Sequence, residues 1–236
     1  MKKDILILFS GGKDSFLTTL KYLDNGYRVF LINYDNGCSL KSENVTYNIN
    51  KLLKKYGSDN IVDLGIINIS FLWRKFIEEY YNYSPSYIIK KFGNVSISQF
   101  NCLSCRVSMY VASIILCNQK NIKLIADGAR KSQVFAIEQD ILINNFKIFF
   151  RENDIKVEYP LLNIESDFDI KNEILARGFV PKTLEPQCLI GIPVHTGKLE
   201  DDEIIATSKI FNLYIKEKAL DLISKYKDLK FWGELL

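Results

Sequence analysis

The stretch Ser10-Gly11-Gly12-Lys13-Asp14-Ser15 lies between an apolar run, residues 5–9, and a segment that carries Phe16, Leu17, Leu20 and Leu23 on roughly one face. An unbroken apolar run predicts a strand buried on both sides, and the 3.6-residue spacing predicts a helix over residues 15–25, stopped at Gly26. Strand, glycine turn and helix in immediate succession are the opening unit of a parallel α/β sheet. They also set up a defined electrostatic situation. The free N–H groups at the helix start, and the helix dipole behind them, favour an anion over the turn. Gly11 and Gly12 permit the φ values and the close backbone approach that a phosphate demands. Ser10 and Ser15 add hydroxyl donors, and Lys13 adds a positive charge. Asp14 is the discordant member, because a carboxylate beside phosphates repels them unless it caps the helix or shares a Mg²⁺ ion. The spacing is neither that of a Walker A loop nor that of Gly-x-Gly-x-x-Gly.

The rest of the chain keeps the same rhythm. Strands are predicted at residues 29–34, 60–66, 123–126 and 157–161, the second of these shorter and nearer an edge. Helices are predicted at 42–56, 71–83, 105–119, 133–145, 168–177 and 203–226. The aromatic-rich stretch 80–87 breaks at Pro85, and residues 181–193 read as a loop. The expected fold is an α/β doubly wound, mostly parallel sheet over residues 1–198, with a short helical appendage at 199–236.

A chain of 236 residues can bury one good core, and 47% hydrophobic with 25% charged residues excludes a disordered chain. No apolar run reaches the roughly 18 residues of a membrane span. The start, Met1-Lys2-Lys3-Asp4 and a short apolar stretch, has no cleavage site of a signal peptide, so a cytoplasmic enzyme is expected. The net charge of +3 neither requires nor excludes a nucleic-acid partner. A single histidine, His195, excludes any mechanism that needs two imidazoles.

Five cysteines without a secretion signal argue for thiol or metal chemistry rather than a disulfide framework. Cys102-Leu103-Ser104-Cys105 places two thiols within reach of one centre, and Cys188, in Glu185-Pro186-Gln187-Cys188, is the third candidate. Three thiolates suit a [4Fe–4S] cluster with one open iron better than a closed four-ligand zinc site. Buried packing of the pair, a zinc site completed by His195 or an aspartate, and a transient disulfide between Cys188 and one of the pair remain alternatives. Cys117 falls on an apolar face with Val111, Ile114 and Ile115 and reads as core. Asp127 ends a strand where α/β sheets place their ligands, and it either meets ligand or caps the next helix. Arg130 and Lys131 meet phosphate or form a solvated loop. Lys216, Lys218, Lys225, Lys227 and Lys230 read mainly as a solvated helix face.

The six-residue turn matches the Ser-Gly-Gly-x-Asp-Ser signature of the PP-loop ATP pyrophosphatase superfamily. The order of phosphate loop, Cys-x-x-Cys and one later cysteine is similar to tRNA sulfurtransferases of the 4-thiouridine synthetase type. So are Asp127-Gly128-Ala129, Ser132-Gln133-Val134 and Tyr159-Pro160-Leu161-Leu162, and the resemblance spans roughly residues 4–195. It implies cleavage of ATP to AMP and pyrophosphate, adenylation of a carbonyl oxygen, and its replacement by sulfur on a tRNA base. It further implies that Ser10, Gly11, Gly12, Lys13, Asp14 and Ser15 hold ATP with Mg²⁺, that Tyr34 lines the adenine side, and that Asp127 completes the nucleotide site. Asp14, Cys102, Cys105 and Cys188 are then the catalytic set, with the three cysteines also the metal set. ATP, tRNA, a sulfur donor and a second copy of the chain are the expected partners, and no membrane is.

The 4-thiouridine synthetases typically carry an RNA-recognition domain before the loop, whereas here the loop begins at Ser10. One alternative is an amide-to-nitrile ligase of the 7-cyano-7-deazaguanine synthase type, whose four clustered zinc-binding cysteines this chain lacks. Another is a nucleotide-binding module without turnover. On the sulfurtransferase reading the three thiols meet at the carboxyl rim of the sheet, roughly 4–7 Å apart, with Cys38 and Cys117 outside the group.

Overall fold

The computed structural model describes residues 2–37, 44–133, 135–180 and 199–228. Five parallel strands form one sheet in the order β3-β2-β1-β4-β5. They are β1 (Asp4–Leu8), β2 (Arg28–Asp35), β3 (Ile61–Asn68), β4 (Leu124–Ala126) and β5 (Lys156–Glu158). The side-chain period of two divides β1 between both faces: Ile5 and Ile7 join one core, Leu6 and Leu8 the other. That double burial is why the strand reads as a continuous apolar run.

On one face lie α1 (Lys13–Asp24), α2 (Asn44–Tyr56) and α7 (Asp167–Ala176), packed on Ile5, Ile7, Val29 and Leu31. On the other lie α3 (Ser70–Asn82), α4 (Pro85–Phe92), α5 (Ile97–Lys120), α6 (Asp140–Glu152), α8 (Asp201–Ile210) and α9 (Lys216–Tyr226). There Ile210, Phe211, Ile215, Ala219 and Leu222 share a core with Leu6, Phe76, Val107 and Phe146, so α8 and α9 pack against the main body. Chain order reverses between β1 and β4, whose register pairs Leu6 with Ile125 and Ile7 with Ala126. Doubly wound sheets place their ligands at the carboxyl ends of strands flanking such a point.

Several elements differ from the sequence expectation, and helix α4 stands where only a break at Pro85 was expected. Helix α5 starts at Ile97, because Ser96 accepts a hydrogen bond from the Gln99 N–H and caps it there. Cys102 and Cys105 therefore lie inside the helix and not before it. Strand β3 is eight residues long, as long as β2, although it is an edge strand. Instead of one helix over 133–145, two short 3-10 turns, Lys131–Gln133 and Ala136–Glu138, precede α6. The helix expected over 203–226 is α8 and α9 joined by a π-helical turn, Phe211–Ile215.

Helix α5 passes the length and hydropathy criteria of a membrane span, but 78% of its apolar window is buried inside the protein. It is the central core helix. Among the described residues no other helix meets those criteria.

Candidate active site

The turn after β1 is held from inside. Ser15 Oγ donates to Gly12 O at 3.0 Å and lies 3.2 Å from Ser10 Oγ, while the Gly12 N–H donates to Ser10 Oγ at 3.3 Å. Gly12, in extended conformation, is the N-cap of α1. Having no side chain, it cannot cover the first N–H groups of the helix itself, and these are the donors that suit a phosphate. Gly11 has φ +80°, and a Cβ there would lie 2.9 Å from the backbone of Val45 in α2. Asn48 of α2 donates to Gly11 O at 2.7 Å, fixing the same close approach. Gly11→Ala should therefore cost at least about 1–3 kcal/mol in urea unfolding, from the left-handed backbone alone. Unchanged stability would contradict this account of the turn.

Ser10, Gly12, Asp14 and Ser15 line a cavity of about 230 Å³ at the carboxyl ends of β1 and β4. Ile32, Asn33 and Tyr34 line it from β2, and Asp127, Gly128, Ala129, Gln133 and Glu138 line it from the opposite side. The Tyr34 hydroxyl shares a hydrogen bond of 2.9 Å with Ser113 Oγ of α5, and burial pushes it well above its usual range. Tyr34 is thus a fixed part of the wall. Gly128 is also closely packed, since a Cβ there would lie 3.1 Å from the backbone of Asp14 and Ser15.

The discordant carboxylate has partners. Asp14 Oδ2 accepts from Gln133 Nε2 at 2.8 Å, and Oδ1 forms an ion pair with Arg130 Nε at 3.1 Å. Arg130 is only 3% exposed, not part of a solvated loop, and it also donates to Asp167 at 2.6 Å. Lys13 turns the same way, its ammonium 3.4 Å from Asp167 at the start of α7. Burial would raise the Asp167 carboxyl, but Arg130 and Lys13 together hold it below its usual range.

A second network faces the loop. Asp127 is 4% exposed, and its oxygens accept from Arg106, from the Tyr110 hydroxyl at 2.7 Å and from the Ala129 N–H at 3.1 Å. Arg106 also reaches Glu138 Oε1 at 3.4 Å. Burial opposes the guanidinium charge, yet Asp127, Tyr110 and Glu138 raise its pKa well above the usual value. Glu138 is 2% exposed, and its Oε2 has no hydrogen-bond partner among the described residues.

Sequence reasoning did not single out Arg106, Tyr110 or Glu138 as site residues. One signal was present: Arg106 is the only charged residue in α5 before Lys120, and a lone charge in an apolar helix has to be partnered. Glu138 gave no such signal, because only the two 3-10 turns aim it inward.

The thiols lie next to this network. Cys105 Sγ accepts a hydrogen bond of 2.9 Å from Asn36 Nδ2, just past the end of β2, and Arg106 is the next residue along α5. Cys102, one helical turn earlier, packs against the core containing Phe100 and Leu103. Cys117 is fully buried with Ile114 and Ile115, and burial pushes its thiol far above the usual range. Cys38, Cys188 and His195 lie outside the described residues, and with them the expected meeting of three thiols. Among the described residues no group of three or more His, Cys, Asp or Glu side chains could hold a metal ion. Two helix-borne thiols alone do not complete a cluster or a zinc site.

The sequence model of the thiamine biosynthesis protein (ThiI) family matches residues 1–176. No curated protein matches the chain. A 4-thiouridine synthetase, solved as an RNA complex with bound ATP, superposes with a TM-score of 0.59 and 14% identity, over 98% of this chain and 54% of that one. The present chain thus spans about half the length of that enzyme. NMN synthetase from Francisella tularensis gives a TM-score of 0.50 and 13% identity, over 96% of this chain and 84% of that one. At such identities the likeness is one of fold. The family match is of sequence, however, and its span holds the phosphate loop, the Cys-x-x-Cys helix and the Asp127 network, so the chain belongs to the thiamine biosynthesis protein (ThiI) family of PP-loop ATP pyrophosphatases.

Proposed function

We propose that this protein adenylates a carbonyl oxygen of a tRNA base with ATP and then replaces that oxygen by sulfur, in the cytoplasm. The observation that carries the reading is the two-sided cavity: a phosphate loop on one wall and a prearranged Arg106–Asp127–Glu138 network on the other. The RNA and ATP bound in the similar 4-thiouridine synthetase support tRNA as acceptor.

On this reading the N–H groups at the start of α1, with the Ser10 and Ser15 hydroxyls, take the pyrophosphate end of ATP. Tyr34 and Ile32 form the wall on the nucleoside side. Arg106 is held in place before substrate arrives, so its charge costs no reorganisation as negative charge develops. Asp14 beside the phosphates suits Mg²⁺, which binds through one or two carboxylates plus phosphate oxygens. When bound, that ion neutralises charge on the leaving pyrophosphate. Arg130 and Gln133 fix the Asp14 carboxylate in its place. A sulfane-sulfur donor leaves a persulfide on one thiol of the set Cys102, Cys105 and Cys188. Its outer sulfur attacks the activated carbon as the carbonyl oxygen departs within AMP. A second thiol of the set then attacks the inner sulfur, freeing the thiolated base and leaving a disulfide that an external thiol reduces. No step is assigned to an iron–sulfur cluster.

The direct test supplies tRNA, Mg-ATP, a sulfane-sulfur donor and a thiol reductant. AMP and pyrophosphate should appear together, one of each per thiolated base. Formation of ADP and phosphate, or products without any change in the RNA, would overturn the reading.

A further inference from the structure

When a ring carbonyl oxygen flanked by an N–H group is adenylated, that N–H must lose its proton. The oxygen forms a bond to the α-phosphorus, and the bond from that phosphorus to the bridging oxygen breaks with its electron pair leaving on pyrophosphate. The N–H pair becomes the C=N bond while C=O becomes C–O. One proton is left over, and no electrons are exchanged with the protein. A base must therefore stand in the cavity, close to the nucleotide but not consumed by structural contacts.

Of the three carboxylates lining the cavity, two are committed. Asp14 accepts a hydrogen bond from Gln133 on Oδ2 and holds Oδ1 3.1 Å from Arg130 Nε in an ion pair without a hydrogen bond, and Asp127 gives its oxygens to Arg106, Tyr110 and Ala129. Glu138 differs. It lines the cavity; its Oε1 meets Arg106 at 3.4 Å, and its Oε2 is buried with neither a hydrogen bond nor an ion pair among the described residues. A buried carboxylate oxygen left without a partner is costly, and in native proteins such a group usually has a chemical reason.

We propose that Glu138 is the base that accepts the acceptor's N–H proton during adenylation. The inference rests on the function proposed above. Burial is the largest influence on this carboxyl; Arg106 of α5 and Arg130 lower its pKa, Asp127 after β4 and Asp14 of α1 raise it, and the balance lies at about 7. A general base works best with a pKa near the working pH. Once the proton is taken, Glu138 is neutral and no longer repels the nucleotide; it returns the proton to solvent after the products leave.

The experiment follows AMP formation with tRNA between pH 5.5 and 9. In the wild type the rate should rise with pH to a plateau, with a midpoint near 7. Glu138→Gln should lower the plateau about 100-fold or more and abolish the rising limb. ATP affinity should stay within a few-fold, since Gln keeps a carbonyl acceptor for Arg106. Glu138→Asp should restore part of the rate together with the limb, which a purely structural role would not do. Equal rates and limbs in wild type and Glu138→Gln would overturn the proposal and leave the adenylation reading standing. So would a flat wild-type profile from pH 6 to 8, which needs no variant to fold. A wild type that makes no AMP with tRNA at any pH would overturn both.

Discussion

Asp127→Ala is expected to destabilise the protein by about 3–5 kcal/mol, the cost of breaking a buried ion pair by removing one partner. For a chain of this length that corresponds to a melting temperature lower by roughly 6–20 °C. Three donors lose their acceptor at once: the Arg106 guanidinium, the Tyr110 hydroxyl and the Ala129 N–H. Arg106 would keep only its longer contact of 3.4 Å to Glu138, in a place where water does not replace the lost carboxylate. Asp127→Asn keeps an acceptor for Tyr110 and the side-chain volume, so it should lose less. Urea unfolding of the three proteins decides the matter. A loss under about 1 kcal/mol in Asp127→Ala would show that the network is far better solvated than its burial indicates.

The second large effect concerns chemistry rather than folding. Asp14→Ala should reduce AMP formation by about 10²–10³-fold, the range seen when one preorganised electrostatic contact is removed from an active site. Stability should change little, because Arg130 keeps its hydrogen bond of 2.6 Å to Asp167 when Asp14 is gone. Side-by-side measurement of pyrophosphate release and urea midpoint separates the two quantities. Activity within threefold of wild type would remove Asp14 from the machinery. A collapse of stability would instead make it a structural pair for Arg130.

The β1–turn–α1 unit was readable because three signals agree there: double-faced burial of β1, glycines where the backbone must pass close, and helical spacing from Phe16 onward. The start of α5 was not readable. Gln99 and Asn101 look like loop residues, yet both are buried. The Gln99 side-chain carbonyl accepts from the Ala136 N–H, and that of Asn101 accepts from the Trp73 indole. Polar residues satisfied by distant partners carry no local mark in a sequence. The same holds for Glu138, whose inward placement depends on two 3-10 turns where one continuous helix was expected. Asp14 was read as an anomaly, and that anomaly was informative: its partners Arg130 and Gln133 come from far along the chain.

Helix α5 gives the site an unusual mechanical coupling. Leu103, Val107, Val111 and Ile114 are clamped in the core, while Cys105, Arg106 and Tyr110 look toward the carboxyl rim from the same rigid rod. A helix turns about its axis as one body, some 100° of azimuth separating successive side chains. A repacking that rolls α5 by a few degrees, at Val107 for example, would sweep thiol and guanidinium through the same arc. Neither could be retuned without the other. Sequence drift in the interior of such a protein is therefore drift in the alignment between the Arg106 guanidinium and the Cys105 thiol.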